Sequence, residues 1–423
     1  MKTTPFWTDD HPRPSDLPVA KELPSETDVA IIGGGYTGLS AARTLAKNGT
    51  HVVVLERETI GWGASSRNGG MTGSGLKAHM PTIFKRYGKE YGIKFWESTL
   101  DMLELIKELQ DEEGIDFDFH QNGELALAYK ASHVENMKAE IKWHEEHLGD
   151  KQEWLPASRI NEGIGSKVFH GGFIDSHGAG LHPAKLVFGL ARIAAKHGAL
   201  LFEEAGVYKV QKETHGFTLY TIKGVIKANE IIVATNGYTE RVVPKLKPKV
   251  FTVGSYCIVT EPLSQDLQAE LSPKDYVFFD SKWFLNYFRM TPDGRMLWGG
   301  RNNLSTTLDL HKSAEILHAQ LIHTFPQLKK TPITHSWTGQ LGLTFDLMPN
   351  IGVEDGVHYA FGYGGHGLHT ALYLGREIAR LITGEIKSSP YMEIPHQTYF
   401  FYRNKPWFLP FAVAYYRVRD WIS

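Results

Sequence analysis

Little in this 423-residue chain points to crosslinks, membranes or nucleic acid. It holds one cysteine, Cys257, so no internal disulfide can form, and a lone thiol fits a reducing compartment. Acidic and basic residues nearly cancel, 47 against 45, leaving no global field to attract a polyanion. No apolar run nears the ~20 residues needed to cross a bilayer. The opening MKTTPFWTDDHPRP lacks the apolar stretch of a secretion signal. There is no internal repeat and no low-complexity tract. His177 with His182, and His366 with His369, have no carboxylate or cysteine at a metal-binding spacing, so no metal is expected. These absences leave the expectation of a soluble, cytoplasmic chain, long enough for two domains with substantial cores.

What is present is a phosphate-binding unit, TDVAIIGGGYTGLSAARTLAKNGTHVVVLE, from Thr27 to Glu56. An apolar strand, a glycine turn, a helix, a second strand and a terminal acid follow in the order a dinucleotide-binding unit requires. Gly33 suits the tight turn, Gly35 a close approach to pyrophosphate, and Gly38 close packing of helix on strand. Tyr36 and Thr37 open the helix, whose free N–H groups attract phosphate. Glu56 stands where an acid accepts hydrogen bonds from a ribose. The unit alone does not say which dinucleotide it holds.

Along the chain, residues 1–24 are Pro-rich and read as an extended surface arm. Residues 81–113 carry helical spacing, and 117–129 alternate about Asn122-Gly123, a hairpin signal. Residues 131–147 read as a charged, exposed helix. Strands and helices then alternate from 171 to 234, a β-rich stretch fills 246–335, and a strand runs into a Gly-rich helix start at 357–368. The predicted class is α/β in two domains. A Rossmann-like cofactor domain is expected from the discontinuous segments 25–80, 155–245 and 336–390. An antiparallel sheet for substrate is expected from 81–154 and 246–335, and an aromatic tail spans 391–423.

Three further glycine clusters sit at strand ends. They are GWGASSRNGG at 61–70, ATNGY at 234–238 and FGYGGHGL at 361–368. With GGGYTGLSAA and HTALYLGREIARLITG, they resemble the FAD-dependent D-amino-acid oxidase superfamily. That group includes glycine and sarcosine oxidases. The Phe-Trp…Pro-Arg-Pro arm and the Tyr-Phe-Arg…Asp-Gly-Arg…Trp-Gly-Gly pair are most similar to its γ-glutamylputrescine-oxidising type. The resemblance implies FAD in contact with Gly33, Gly35, Tyr36, Thr37, Gly38, Glu56, Arg57, Ala64, Ser65, Arg67, Asn68, Gly69 and Gly70. It further implies contacts from Val207, Ala234, Thr235, Gly237, Gly362, Gly364, Gly365, His366, Gly367 and Leu368. Members that tether flavin use a cysteine in the C-terminal piece or a histidine in the 61–70 loop. Neither is present here, so the FAD is expected to be noncovalent.

The resemblance also implies the reaction, oxidation of a C–N bond of an amine or amino acid by hydride transfer to flavin N5, with hydrolysis of the imine. The alternatives are an N-methyl- or D-amino-acid oxidase, or a flavin dehydrogenase that passes electrons to a partner protein. Family members acting on amino acids fork the substrate carboxylate with an arginine. Arg289 is the first candidate and Arg301 the second. Trp283, Phe284, Tyr287, Trp298 and Trp337 are candidates for an aromatic wall, competing with ordinary core packing, and Tyr256 is a further candidate. His366 either touches the site or caps a helix. Monomeric sarcosine oxidase keeps a lysine beside the flavin for reaction with O2. Leu297 falls at that position, which leaves O2 or another acceptor open.

Overall fold

The computed structural model describes residues 1–240, 242–301, 303–403 and 405–422. Two eight-stranded sheets organise them. The first runs Asn350–Glu354, Val357–Phe361, Gly224–Val233, Glu26–Ile32, Val52–Leu55, Leu200–Phe202. All neighbouring pairs in this path are parallel except the edge strand Asn350–Glu354. Phe217–Thr221 and Val207–Lys212 add an antiparallel extension to Gly224–Val233. Parallel strands are covered on both faces, which explains the uninterrupted apolar run of Val52–Leu55, buried at every position. Val29, Ile31, Val52 and Val54 face the helices Tyr36–Lys47, Pro183–Lys196 and Gly367–Ile382. Ala30, Ile32, Val53 and Leu55 face Phe217, Leu219 and Ile226 of the antiparallel extension. Alternate side chains thus build two cores from one strand.

The second sheet runs Ile333–Leu343, Phe251–Thr260, Met296–Gly300, Asn286–Met290, Val277–Asp280, Glu124–Leu127, Gly171–Asp175, Glu153–Pro156. It is antiparallel apart from Val277–Asp280 beside Glu124–Leu127. The helix Leu310–Thr324 covers it through Leu317 and Leu321, against Ile258, Phe288 and Trp298.

The structure corrects four expectations. Asn122-Gly123 does not turn a hairpin: His120 bridges Gly180 instead, and Glu124–Leu127 pairs with strands distant in sequence. Gly171–Asp175 and Ile333–Leu343 hydrogen-bond into the second sheet, so the divisions at 155 and 336 do not follow the pairing. Met80–Asp111 is helical with a break at Gly88 (φ 83°), and it packs on Gly367–Ile382 of the cofactor side. The arm is not merely superficial. Its turn Phe6–Asp10 buries Phe6 and Trp7, and the Trp7 indole N–H donates to the Asn68 carbonyl at 2.8 Å.

The tail folds back on the chain. In the helix Leu409–Ile422, the Asp420 carboxylate accepts the Trp283 and Phe284 N–H groups at 2.8 and 3.1 Å, and Tyr416 stacks on Trp283. No helix of the described residues is long and apolar enough to cross a membrane.

Trp7 is wholly buried and steadies the 61–70 loop, so its removal costs both packing and position. Trp7→Ala is expected to lose about 3–5 kcal/mol of stability, the usual cost of emptying a buried indole site, read by denaturant unfolding. Unfolding parameters indistinguishable from the parent would contradict this role.

Candidate functional site

A cavity of about 650 Å³ opens along the carboxyl ends of the parallel strands and continues onto the face of the second sheet. That volume lies within the range of sites that enclose a whole cofactor-sized ligand, roughly 300–1,000 Å³. Three of the glycine clusters and the 61–70 loop converge on it.

The first turn is built by close backbone approach. Gly33 adopts φ 112°, open to glycine at little cost, and its N–H donates to the Leu55 carbonyl at 3.0 Å. A Cβ on Gly38 would stand 2.0 Å from the Gly33 carbonyl oxygen, so only glycine lets the helix Tyr36–Lys47 meet the strand. Glu56 receives the Gly34 and Glu58 N–H groups at 2.7 and 2.9 Å. Burial still raises its pKa above the usual carboxylate value. Ser65 Oγ accepts the Tyr36 N–H at 3.0 Å, and Tyr36 Oη donates to the Pro183 carbonyl.

The 61–70 loop is held from several sides. Asn68 Nδ2 donates to the Ala64 and Ser65 carbonyls, and its Oδ1 accepts the Gly70 N–H. The Arg67 guanidinium lies 4.6 Å from the Trp62 ring. The distant clusters are stitched to this unit by side chains. Thr37 Oγ1 and Tyr363 Oη share a 2.6 Å hydrogen bond, and Asn236 Oδ1 accepts the Gly362 N–H at 2.9 Å.

Of the expected cofactor contacts, Gly33, Gly35, Tyr36, Thr37, Glu56, Arg57, Ala64, Ser65, Arg67, Asn68 and Gly69 line the cavity. So do Val207, Ala234, Thr235, Gly364, Gly365, His366, Gly367 and Leu368. Gly38, Gly70, Gly237 and Gly362 stand behind its wall and shape the backbone there.

The substrate candidates divide differently. Arg289 does not line the cavity. Its guanidinium is buried beneath Trp7 and donates to the Gly70 and Leu181 carbonyls at 2.9 and 3.0 Å. Tyr256 is also turned away, its hydroxyl donating to the Ser305 carbonyl and accepting the Leu308 N–H. Trp337 is buried outside the wall and acts from behind, donating to the Arg67 carbonyl at 2.9 Å. Arg301, the second candidate, is on the wall beside Gly365 and donates to the Gly364 carbonyl at 3.2 Å. His366 occupies the cap position of Gly367–Ile382 without a side-chain capping bond, and its buried Nδ1 has no partner. Burial drives its pKa well below the usual histidine value, with Lys77, His369 and Arg301 adding to the effect, so the ring is neutral.

Sequence reading missed the residues 71–79, which line the cavity from Met71 to His79. Their glycines and small residues, MTGSGLKAH, were the available signal. Of the other aromatic candidates, Trp283 and Tyr287 line the cavity, the Tyr287 hydroxyl meeting Ser255 Oγ and Cys257 Sγ at 3.1 Å, whereas Phe284 and Trp298 do not. The missed wall also includes the carboxylates Glu124 and Asp175. Lys77 has no hydrogen-bond or ion-pair partner among the described residues. Burial, helped by Arg301, lowers its pKa to about 7.

The cradle fits a dinucleotide: glycine backbone at the strand ends, an acid after the second strand, and an orphaned buried His366 nitrogen at a helix start. Fold and site together define a dinucleotide-dependent oxidoreductase of α/β class. Comparison with known proteins sharpens this. Residues 28–381 match the DAO family model, described as FAD dependent oxidoreductase. The chain is 35% identical to γ-glutamylputrescine oxidoreductase of Escherichia coli over 93% of its own length and 92% of that protein. It is 33% identical to the probable oxidoreductase OrdL of Rhizobium meliloti, over 96% and 95% of the two chains. The crystal structure of glycine oxidase from Geobacillus kaustophilus superposes with a TM-score of 0.76 at 21% identity, covering 88% of this chain and 100% of that one. The chain belongs to the DAO family of FAD-dependent oxidoreductases. Its cofactor is FAD, and it acts on CH–NH groups of amines or amino acids.

The lowered Lys77 pKa fixes a pH dependence. The unfolded chain holds the Lys77 proton up to about 10.5, whereas the folded chain releases it near 7. Burying the charged form therefore costs most below pH 7, and that cost fades as pH rises from 7 to 10.5. In the FAD-free protein, Lys77→Met is expected to raise Tm at pH 6 and to lose that advantage toward pH 10. A gain independent of pH would refute the assignment.

Proposed function

We propose that this enzyme oxidises the terminal amine of a γ-glutamylated diamine of the γ-glutamylputrescine type. The observation that carries this is the end-to-end match to γ-glutamylputrescine oxidoreductase, 35% identity over nearly all of both chains. The cavity supports it by presenting both cations and an unpaired carboxylate among its lining residues, as a substrate with both charge signs requires.

Bound FAD supplies the hydride acceptor that turns the C–N bond into an imine, which water then hydrolyses. The chain supplies binding and proton control. Arg301 has N–H groups left over after its bond to Gly364 and is the guanidinium available to a substrate carboxylate. Lys77, poised near neutrality, takes the proton that the substrate ammonium sheds before its carbon is oxidised. Neutral His366 contributes its unpartnered Nδ1 to the cofactor side. Gly33, Gly35, Glu56 and the loop residues Ala64–Asn68 hold the dinucleotide.

The FAD is held without a covalent bond. Cys257 lies outside the cavity wall behind Tyr287, and burial pushes its thiol up to about 12, far from the thiolate that attack on a ring requires. The electron acceptor is O2 or a partner protein. One buried thiol and the lack of a spanning helix among the described residues support a cytoplasmic location.

Purified enzyme is expected to turn over γ-glutamylputrescine faster than sarcosine, glycine or D-alanine, followed by H2O2 release and by dye reduction in parallel. Turnover of the small amino acids alone would replace this substrate with the glycine-oxidase type. Acid precipitation is expected to leave the yellow colour in the supernatant; a yellow pellet would overturn noncovalent attachment.

A further inference from the structure

Every other carboxylate on the cavity wall has a partner. Glu56 takes backbone N–H groups, Glu140 the His79 ring, Glu240 the Arg57 guanidinium, and Asp280 the Lys282 ammonium. Asp175 takes the Ser74 hydroxyl at 2.6 Å and the His177 ring at 2.7 Å. Glu124 has none among the described residues, although its side chain is largely buried and lines the cavity. It also stands directly opposite Asp175 across two antiparallel strands. Like charges so placed repel, and the His177 ring that offsets charge here is bonded to Asp175, not to Glu124.

The two acids are not equivalent. Burial opposes ionisation of Asp175, but its bonds from His177 and Ser74 outweigh that and hold its pKa below the usual carboxylate range. Burial, then the Asp175 charge, drives Glu124 well above it. The pair is a fixed anion beside an unsatisfied acid, both on the wall of the same cavity. Met137, Phe173 and Phe279 line that cavity too and form an apolar cluster suited to methylene groups.

We propose that Glu124 and Asp175 form a subsite for a second, non-reacting ammonium group of the substrate. The substrate class is then amines that keep a further protonated nitrogen: γ-glutamylated diamines, through their α-ammonium, and free diamines. An ammonium brings three N–H donors and one positive charge, which answers both the vacant acceptor positions of Glu124 and the repulsion between the acids. This deepens the proposed function and rests on the same cavity being the amine-oxidising site.

The test uses flavin-loaded enzyme, chemically reduced so that nothing turns over, and calorimetric titration with two ligand pairs. One pair is γ-glutamylputrescine and its glutaryl analogue, identical but for the α-amino group. The other is 1,8-diaminooctane and octylamine. The parent enzyme is expected to favour the doubly aminated member of each pair by about tenfold, the scale of one charge-assisted hydrogen-bonded contact. In Glu124→Gln both ratios are expected to fall to near one, while the singly aminated ligands bind as before. Parent ratios near one, or ratios unchanged in the variant, overturn the subsite. If the diamine pair discriminates and neither glutamyl-type compound binds, the subsite stands and the proposed substrate falls. Replacing an unpartnered acid beside a fixed anion by a neutral amide is expected to leave the ligand-free variant at least as heat-stable as the parent. A variant that fails to fold leaves the parent ratios to decide.

Discussion

The whole arrangement depends on backbone meeting backbone where side chains would keep it apart. Gly38 lets the first helix touch the carbonyl of Gly33, and a Cβ on Gly375 would stand 2.2 Å from the Thr37 carbonyl oxygen. The second contact draws the helices Tyr36–Lys47 and Gly367–Ile382 together across more than 300 residues of chain. The Thr37–Tyr363 hydrogen bond then fixes the C-terminal glycine cluster against the N-terminal one. A cofactor wall made of N–H groups rather than side chains needs this proximity, since amides reach only as far as the backbone itself. Bulk at Gly375 would separate the two halves of the cradle, and bulk at Gly38 would lift the helix from its own strand.

Around that cradle, residues that look catalytic serve as scaffolding. Trp7, Trp337 and Arg289 each hydrogen-bond to a carbonyl of the 61–70 loop or next to it: Asn68, Arg67 and Gly70. The loop is thus anchored from the arm and from two strands of the second sheet, the edge strand Ile333–Leu343 and the interior strand Asn286–Met290. Burial lowers the Arg289 pKa only to about 10, so the guanidinium stays charged among these carbonyls. Its place beneath the Trp7 ring is a cation–π contact at 5.3 Å. The N-terminal arm therefore takes part in the site without touching the cavity.

The substrate side follows a different rule. There the second sheet presents side chains rather than amides, and charge balance decides their roles. Lys282 on that side, like Arg57 on the cofactor side, is cancelled by a neighbouring acid. Arg301, Lys77 and Glu124 are not, and they are the groups left to address a ligand. Tyr287 closes the wall between the sheet and the loop, its ring 2.9 Å from where a Cβ of Gly69 would stand.

The sequence by itself determined the cofactor half. Gly33, Gly35, Gly38 and Glu56 are spaced by a local strand–turn–helix–strand unit whose geometry is set within 30 residues, so their placement follows from order alone. The other glycine clusters were legible for the same reason, each being the end of one strand. The substrate half was legible only in part: Trp283, Tyr287 and Arg301 were readable as candidates and line the cavity, whereas Arg289, Tyr256 and Trp337 do not. Tyr287 and Arg289 share a strand face by simple alternation, yet only Tyr287 reaches the cavity, because Trp7 from the far N-terminus roofs Arg289. Glu124 gave no signal because its neighbour, Asp175, is set by pairing between strands nearly 50 residues apart. Which charges cancel and which remain free is a property of pairs in space, and only the tertiary structure forms those pairs.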